Sequence, residues 1–183
     1  MSFIKNFDNN LLTLEDQDEA LTDSWWSYMF ALKNIPGSDF KALQAKACEK
    51  YGYAVLFALN VLNADIKYCQ KHACKDPHFA YRFALDIVGA DINYCQEYAC
   101  KHPYWAYCFA RDVPGANIQY CQKSSYKDFK IALKFLQNIN NSDLEDFRHF
   151  IKIHFMNKID YYNSEINKII MNKYVNNLEY NSL

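Results

Sequence analysis

Residues 90–115, ADINYCQEYACKHPYWAYCFARDVPG, decide the fold of this chain. Asp91 is a residue type that begins helices, because its carboxylate accepts a backbone N–H of the first turn and favours the positive end of the helix dipole. The helical pattern breaks at Pro103, which suits the first turn of a second helix. Gly115 then ends that helix, since glycine readily adopts positive φ. The stretch therefore predicts two short helices separated by a proline break and closed by a left-handed turn.

Each of the two predicted helices carries one apolar stripe. In the first helix, Ile92, Cys95 and Ala99 recur at helical spacing. In the second helix, Ala106 and Phe109 do the same. Apolar residues with this period are typical of helices that bury one face. Both helices are therefore predicted to pack against neighbours rather than stand in solvent.

The same pattern returns along the chain with a period of about 26 residues. A fixed period in this range is typical of a stack of small units, because a lone hairpin of this length has no interior to bury. The sequence therefore predicts an all-α, solenoid-like stack of four to five short helical hairpins with a C-terminal helical cap. The repeated positions are the caps Asp39, Asp65, Asp91, Asn117 and Asp143; the turn residues Gly37, Asn63, Gly89, Gly115 and Asn141; and the core residues Phe57, Phe83, Phe109 and Phe135.

The 183 residues are predicted to form a single repeat domain. Residues 1–25 carry Asp8, Glu15, Asp16, Asp18, Glu19 and Asp23 against Lys5 alone, and we expect them to form a solvated acidic N-terminal cap. Residues 26–141 hold the repeats. Residues 142–183 are predicted to form the C-terminal cap, with a final helix over about 164–178.

Composition excludes several classes of protein. Lys and Arg number 20 against 21 Asp and Glu, so the charge is balanced and nucleic-acid binding is disfavoured. We expect no signal peptide and no membrane span, because no apolar stretch is long enough for either. The seven cysteines lie mostly within apolar patterns, which favours reduced thiols and a cytoplasmic protein.

The phrase A-C-K-x-P-x-x-A-Y-x-F-A occurs at residues 73–84 and again at 99–110. It resembles the short tandem α-helical hairpin repeats, each about 25 residues long, of bacterial and viral proteins whose function is unassigned. The resemblance covers residues 26–141 and implies a repeat architecture. It implies no activity, and no binding residue can be transferred from it.

The cysteines are the first candidates for chemistry. Cys69, Cys95 and Cys121 share one repeat position, while Cys48, Cys74 and Cys100 share another. With His72 and His102 nearby a zinc site is conceivable, but the C-x-x-C spacing of zinc modules is missing and equivalent repeat positions should lie about 10 Å apart. We therefore expect small buried side chains and no metal or other cofactor.

Catalysis has little support in the sequence. Cys108, the one cysteine outside the two columns, would need a neighbouring base to act as a nucleophile, and the sequence nominates none. We expect no catalytic residue and a protein that is not an enzyme. A thiol or metal enzyme stays the third hypothesis.

Four glutamines also recur, and their amides have two possible uses. The first is structural, with each amide satisfying a turn or its counterpart in the next repeat. The second is a row of donors and acceptors on a groove that reads an extended ligand. The structural role is favoured for all four: Gln44, Gln70, Gln96 and Gln122.

Tyrosines give the sharpest binding hypothesis. On a helical wheel, Tyr68, Tyr94 and Tyr120 lie opposite the apolar stripe and should form an outward column, and rigid aromatic side chains suit binding interfaces. The alternative is that tyrosines fill the seams between repeats. Beside this column lie Lys71, Glu97 and Lys123. A similar outward column is predicted on the second helices, formed by Tyr81 and Tyr107 with Arg82 and Arg111 adjacent.

The sequence thus favours a non-catalytic repeat module that binds another protein. Its small size suggests an inhibitor, an antitoxin-like protein or an effector that occupies a partner surface. The alternative is a helical-repeat protein that binds single-stranded nucleic acid or RNA, with tyrosines stacking on bases.

Overall fold

The computed structural model describes residues 3–139, 142–154, 164 and 166–169. Over these residues the backbone forms helices and turns and no strand, which confirms the all-α prediction. The chain divides into two compact units between Ala99 and Cys100.

The first unit consists of short helices that pack in neighbouring pairs. Helix α3 packs on α4, α5 on α6 and α7 on α8, and α5 also contacts both α3 and α7. A short 3₁₀ turn at Leu14–Asp16 precedes α2. The helices are α1 (Phe3–Asp8), α2 (Gln17–Ala20), α3 (Ser24–Leu32), α4 (Phe40–Ala47), α5 (Tyr51–Asn60), α6 (Ile66–Ala73), α7 (Pro77–Asp86) and α8 (Ile92–Ala99).

The second unit continues the same pattern. Helix α9 packs on α10 and also on α11. Of the predicted final helix, residues 164 and 166–169 are helical, and its other residues lie outside the described part of the chain, as does Asn141. The helices are α9 (Pro103–Asp112), α10 (Ile118–Ser125), α11 (Phe129–Asn138) and α12 (Leu144–His154).

The closest helix pairs flank the left-handed turns. Helices α7 and α8, on either side of Gly89, pack more closely than α6 and α7, which share one repeat. Gly37, Gly89 and Gly115 all have φ between 81° and 85°, and Asn63 has φ 61°, as the sequence predicted. Positive φ allows the chain to reverse direction within a short turn. The second helix of one repeat therefore packs most closely against the first helix of the next repeat.

The predicted N-caps are present. The carboxylate of Asp65 accepts the Tyr68 backbone N–H at 3.0 Å, and Asp91 accepts the Tyr94 N–H at the same distance. The second helices are capped as well, since Asp76 accepts the N–H of His78 at 2.9 Å. Each cap satisfies a backbone donor that the helix itself leaves without a partner.

The recurring glutamines clasp the next repeat through its main chain. The Gln44 amide donates from Nε2 to the Asp65 carbonyl at 3.0 Å and accepts the Asp65 N–H at 3.2 Å. Gln70 and Asp91 make the same two bonds, both at 3.0 Å. In the second unit, Gln122 holds Asp143 in this way at 3.4 and 2.7 Å. The structural role predicted for these three glutamines is therefore confirmed.

The predicted phenylalanine core is also confirmed. Phe57 and Phe83 are fully buried in the first unit, and Phe109 and Phe135 are fully buried in the second. The small residues Ala54, Ala80, Ala106 and Ala132, three positions before these phenylalanines, are buried completely too. Small side chains allow the helices to approach, and the rings fill the space that remains.

One residue of the acidic N-terminal cap is not solvated. Asp16 is buried and accepts hydrogen bonds from the Thr13 backbone N–H at 2.8 Å and from Asn6 Nδ2 at 2.9 Å. These bonds lower the pKa of Asp16, because they favour the charged carboxylate. The prediction of a fully solvated acidic run is wrong at this position, and the carboxylate there fixes the turn before α2.

Replacing Phe109 with alanine tests the core. Phe109→Ala should lower the free energy of unfolding by about 3–5 kcal/mol, because it empties a fully buried site. Urea denaturation measures the loss. Val88→Ala is the control, since Val88 is 95% exposed and its truncation should change stability by no more than about 0.5 kcal/mol. Equal stability of the two variants would remove Phe109 from the core.

The glutamine clasp is tested by Gln70→Leu. The leucine keeps the bulk but leaves the N–H and carbonyl of Asp91 without this partner, which should cost about 1–3 kcal/mol of unfolding free energy. The matched control is Gln119→Leu on the exposed face of α10. A similar effect of both changes on urea denaturation would contradict the clasp.

Candidate functional site

The cysteine thiols are enclosed by the core. All seven are buried and none forms a disulfide. Burial is the main cause that raises the pKa of Cys108, so this thiol stays protonated near neutral pH and is a poor nucleophile. Within residues 3–139, 142–154, 164 and 166–169, His, Cys, Asp and Glu side chains nowhere gather in a group of three that could hold a metal.

The two cysteine columns meet, which the sequence analysis missed. Cys48 and Cys69 place their Sγ atoms 3.7 Å apart, although they belong to different columns. The diameter of a helix sets the distance between equivalent positions of successive repeats. It does not set how far one helix is displaced along its neighbour, and that displacement decides which cysteines meet. The offset of 21 residues, which the Gln44–Asp65 clasp also has, was the signal available in the sequence.

Two tyrosines of the first-helix column pack against a second ring of their own helix. Tyr68 stacks on His72 with ring centroids 4.6 Å apart, and Tyr94 lies 4.9 Å from Tyr98 one helical turn along. Tyr68 and Tyr94 are therefore half-buried rather than fully exposed, whereas Tyr120 is 48% exposed. This packing restricts the rotamers of Tyr68 and Tyr94 and gives a firm aromatic surface at these two positions.

The local electrostatics keep these aromatic groups neutral. A hydrogen bond with the Tyr98 side chain, aided by burial, raises the pKa of Tyr94 to about 12. Burial, followed by the positive charge of Lys75, lowers the pKa of His72. Both groups are thus uncharged at neutral pH, so charge on this face comes from other residues.

The charged candidates are all exposed. Lys71, Glu97 and Lys123 lie at the surface beside the first-helix tyrosines. Arg82 and Arg111 are exposed too, but each already has a partner: Arg82 pairs with Asp86 at 2.6 Å and Arg111 pairs with Asp112 at 2.7 Å. Exposed ion pairs of this kind contribute little to stability and leave the guanidinium groups accessible.

The second-helix tyrosine column is corrected by the structure. Tyr107 is only 5% exposed, its hydroxyl accepts a hydrogen bond from Asn138 Nδ2 at 3.1 Å, and the Arg111 guanidinium covers its ring at 5.1 Å. The prediction that Tyr107 points outward is wrong, because it fills the seam between α9 and α11 and gives its hydroxyl a partner there. Tyr81 is half-buried.

Predicted residues line two surface clefts. One cleft in the first unit has a volume of about 410 Å³ and is lined by Tyr68 of α6 together with residues of α4 and the turn before α6. A smaller cleft of about 210 Å³ in the second unit is lined by Tyr120, Lys123 and Lys127 of the α10 region. The full lining of the larger cleft is Phe40, Lys41, Gln44, Ala45, Asn63, Asp65 and Tyr68.

Exposed aliphatic residues form a feature that the sequence analysis missed. Leu59 and Leu85 are 51% and 42% exposed, and Leu62 and Val88 are 68% and 95% exposed. They end α5 and α7 or follow in the turns of the first unit. The members of each pair occupy equivalent positions in successive repeats, so the repeat period itself was the signal in the sequence.

Comparisons with known proteins give no relative for this chain: no family model, no curated protein and no solved structure matches it. Among the described helices, none combines the length and apolarity needed to cross a membrane.

Proposed function

We propose that this chain is a non-catalytic helical-repeat protein that binds another protein through the tyrosine-bearing surfaces of its first helices. The observation that carries the proposal is that two of the three column tyrosines line surface clefts. Tyr68 lines the larger cleft of the first unit, and Tyr120 with Lys123 lines the cleft of the second. Concave sites with aromatic walls and a few polar groups are the usual form of a binding surface.

The chemistry of this face suits a protein partner. Tyr68 and Tyr94, each held by a neighbouring ring, lose little side-chain entropy on binding. Like Tyr120, they offer both an apolar ring and a hydroxyl. The charge beside them changes sign from Lys71 to Glu97 to Lys123. A mixed pattern of this kind favours a partner of specific complementary charge over a uniformly charged polymer.

The wider proposal follows from the repeated architecture. The helical repeats form a solenoid-like stack of four to five hairpins, similar to the short tandem repeats of bacterial and viral proteins. Such a stack presents the same positions along one side. As part of the same proposal, the protein is cytoplasmic and acts as an inhibitor, an antitoxin-like protein or an effector that occupies the surface of its partner.

The cleft of the second unit favours one alternative function. Tyr120 stands there beside Lys123 and Lys127, and an aromatic ring with two cations is a combination that binds single-stranded nucleic acid. Binding of oligonucleotides that weakens steeply with salt would select this alternative. The balanced charge of the whole chain makes it the second choice.

Replacing the tyrosine column tests the proposed function. A variant with Tyr68→Ala, Tyr94→Ala and Tyr120→Ala should lose at least tenfold in affinity for the protein partner, because three aromatic contacts are removed together. The partner is first captured with the wild-type protein from the cells that express it, and its affinity is then measured by calorimetry with purified components.

The control is the variant with Tyr51→Ala and Tyr104→Ala. These tyrosines are 40% and 39% exposed but lie on the second helices, so their loss should leave the affinity unchanged. Circular dichroism establishes that both variants are folded. Equal affinity of a folded column variant and the wild type would refute this face as the binding site.

A further inference from the structure

The six cysteines of the two columns meet as three buried pairs. In every pair the thiol of the earlier residue is directed at the sulfur of the later one, and the two residues are separated by 21 positions. Two pairs lie in the first unit and one in the second. The distances between Sγ atoms are 3.7 Å for Cys48–Cys69, 3.6 Å for Cys74–Cys95 and 3.5 Å for Cys100–Cys121.

Each pair connects two successive repeats. Cys48 directly follows α4, and its partner Cys69 lies within α6, the first helix of the next repeat. Five of the six side chains are at most 1% exposed, and Cys100 is 6% exposed. Every sulfur therefore has a close sulfur neighbour, and Cys100, which also lines the cleft of the second unit, is the most exposed of the six residues.

We propose that the three pairs are dithiol sites that a small hydroperoxide oxidises to disulfides linking successive repeats. One thiolate attacks a peroxide oxygen and the O–O bond breaks, which gives a sulfenic acid and releases the first water after protonation. The partner sulfur then attacks the sulfenic sulfur and displaces its oxygen as the second water. Each pair loses two electrons and two protons, and one hydrogen peroxide becomes two waters.

The geometry favours this reaction over other cysteine chemistry. A disulfide has an S–S distance of about 2.05 Å, so each sulfur has to move by roughly 0.8 Å from its present position. The product is uncharged, and a buried apolar site accepts it at no cost of desolvated charge. Because each sulfur has one near neighbour, a sulfenic acid formed at Cys69 meets Cys48 before any other thiol.

The burial of the thiols limits which oxidants can react with them and how fast they are oxidised. Because the thiols are buried, we expect a molecule as small as hydrogen peroxide to reach them more readily than a bulky peptide disulfide such as oxidised glutathione. The hydrogen bond from the neighbouring thiol and burial both raise the pKa of Cys48 and of Cys95, so few thiolates are present at neutral pH. The pairs therefore respond to sustained oxidation rather than to a brief pulse.

Cys108 is an internal control. It is 2% exposed, as well buried as the paired cysteines, but its thiol is hydrogen-bonded to the side chain of Tyr104. Its position outside the columns predicts that it stays a thiol when the pairs react. The position after the third pair is filled by the rings of Tyr126 and Phe147, whose centroids are 5.1 Å apart, so the site can also serve for packing alone.

The experiment is disulfide mapping of the native full-length protein after long incubation with hydrogen peroxide. Peptide mass spectrometry should find Cys48–Cys69, Cys74–Cys95 and Cys100–Cys121, and alkylation after unfolding should label Cys108 alone. The melting temperature should rise by roughly 10 °C or more and return on reduction, because three loops of the unfolded chain become closed. Oxidised glutathione should leave the native protein unchanged.

Two variants complete the test. Cys69→Ser should abolish one bond and leave the other two, with Cys48 then labelled by alkylation, while Cys108→Ser should leave all three bonds in place. The proposal is overturned by thiols that stay reduced in the folded protein, by any bond that includes Cys108, by other pairings, or by unfolding during oxidation. Each of these results would assign the columns to packing.

Discussion

The structure depends on a side chain that holds the backbone of the following repeat. A buried glutamine amide accepts a hydrogen bond from the backbone N–H of one residue and donates one to the carbonyl of the same residue. Gln70 makes these two bonds with Asp91. The carboxylate of that same residue begins the next helix by capping Tyr94. The start of each helix is thus fixed from two directions, by its own side chain and by the previous repeat. Because both bonds replace contacts with water in a buried setting, the interaction specifies register as much as it contributes stability.

Most of the local structure could be predicted from the sequence, because it depends on residues close together in the chain. Asp91, Pro103 and Gly115 act through their own backbone geometry, and the fixed repeat period reveals which positions are equivalent. Contacts between helices were harder to predict. The seam that buries Tyr107 and the contact of Cys48 with Cys69 depend on the sliding of one helix along another. A helical wheel contains no information on that displacement.

Packing within the chain restricts the choice of residue less at the surface than in the core. A buried position must satisfy volume and hydrogen bonding, so Phe57 or Gln44 has few possible uses. An exposed tyrosine such as Tyr120 satisfies no such condition within the chain, so the fold alone does not explain why it is a tyrosine. This difference explains why the helices and core followed from the sequence while the binding face is a proposal. The same holds for Leu62 and Val88 on the turns of the first unit, because both side chains are exposed and packing within the chain does not explain them.

The constant offset between glutamine and cap has a consequence for how such a chain can change in length. Excision of residues 65–90 would bring Asp91 to the place of Asp65, 21 positions after Gln44, and would bring Cys95 opposite Cys48 in the same step. A duplication of one period would likewise place a cap residue 21 positions after each glutamine, so that its backbone could bond the amide. Gene segments that encode one whole period can therefore be lost or gained without leaving a buried glutamine amide without its hydrogen-bond partner.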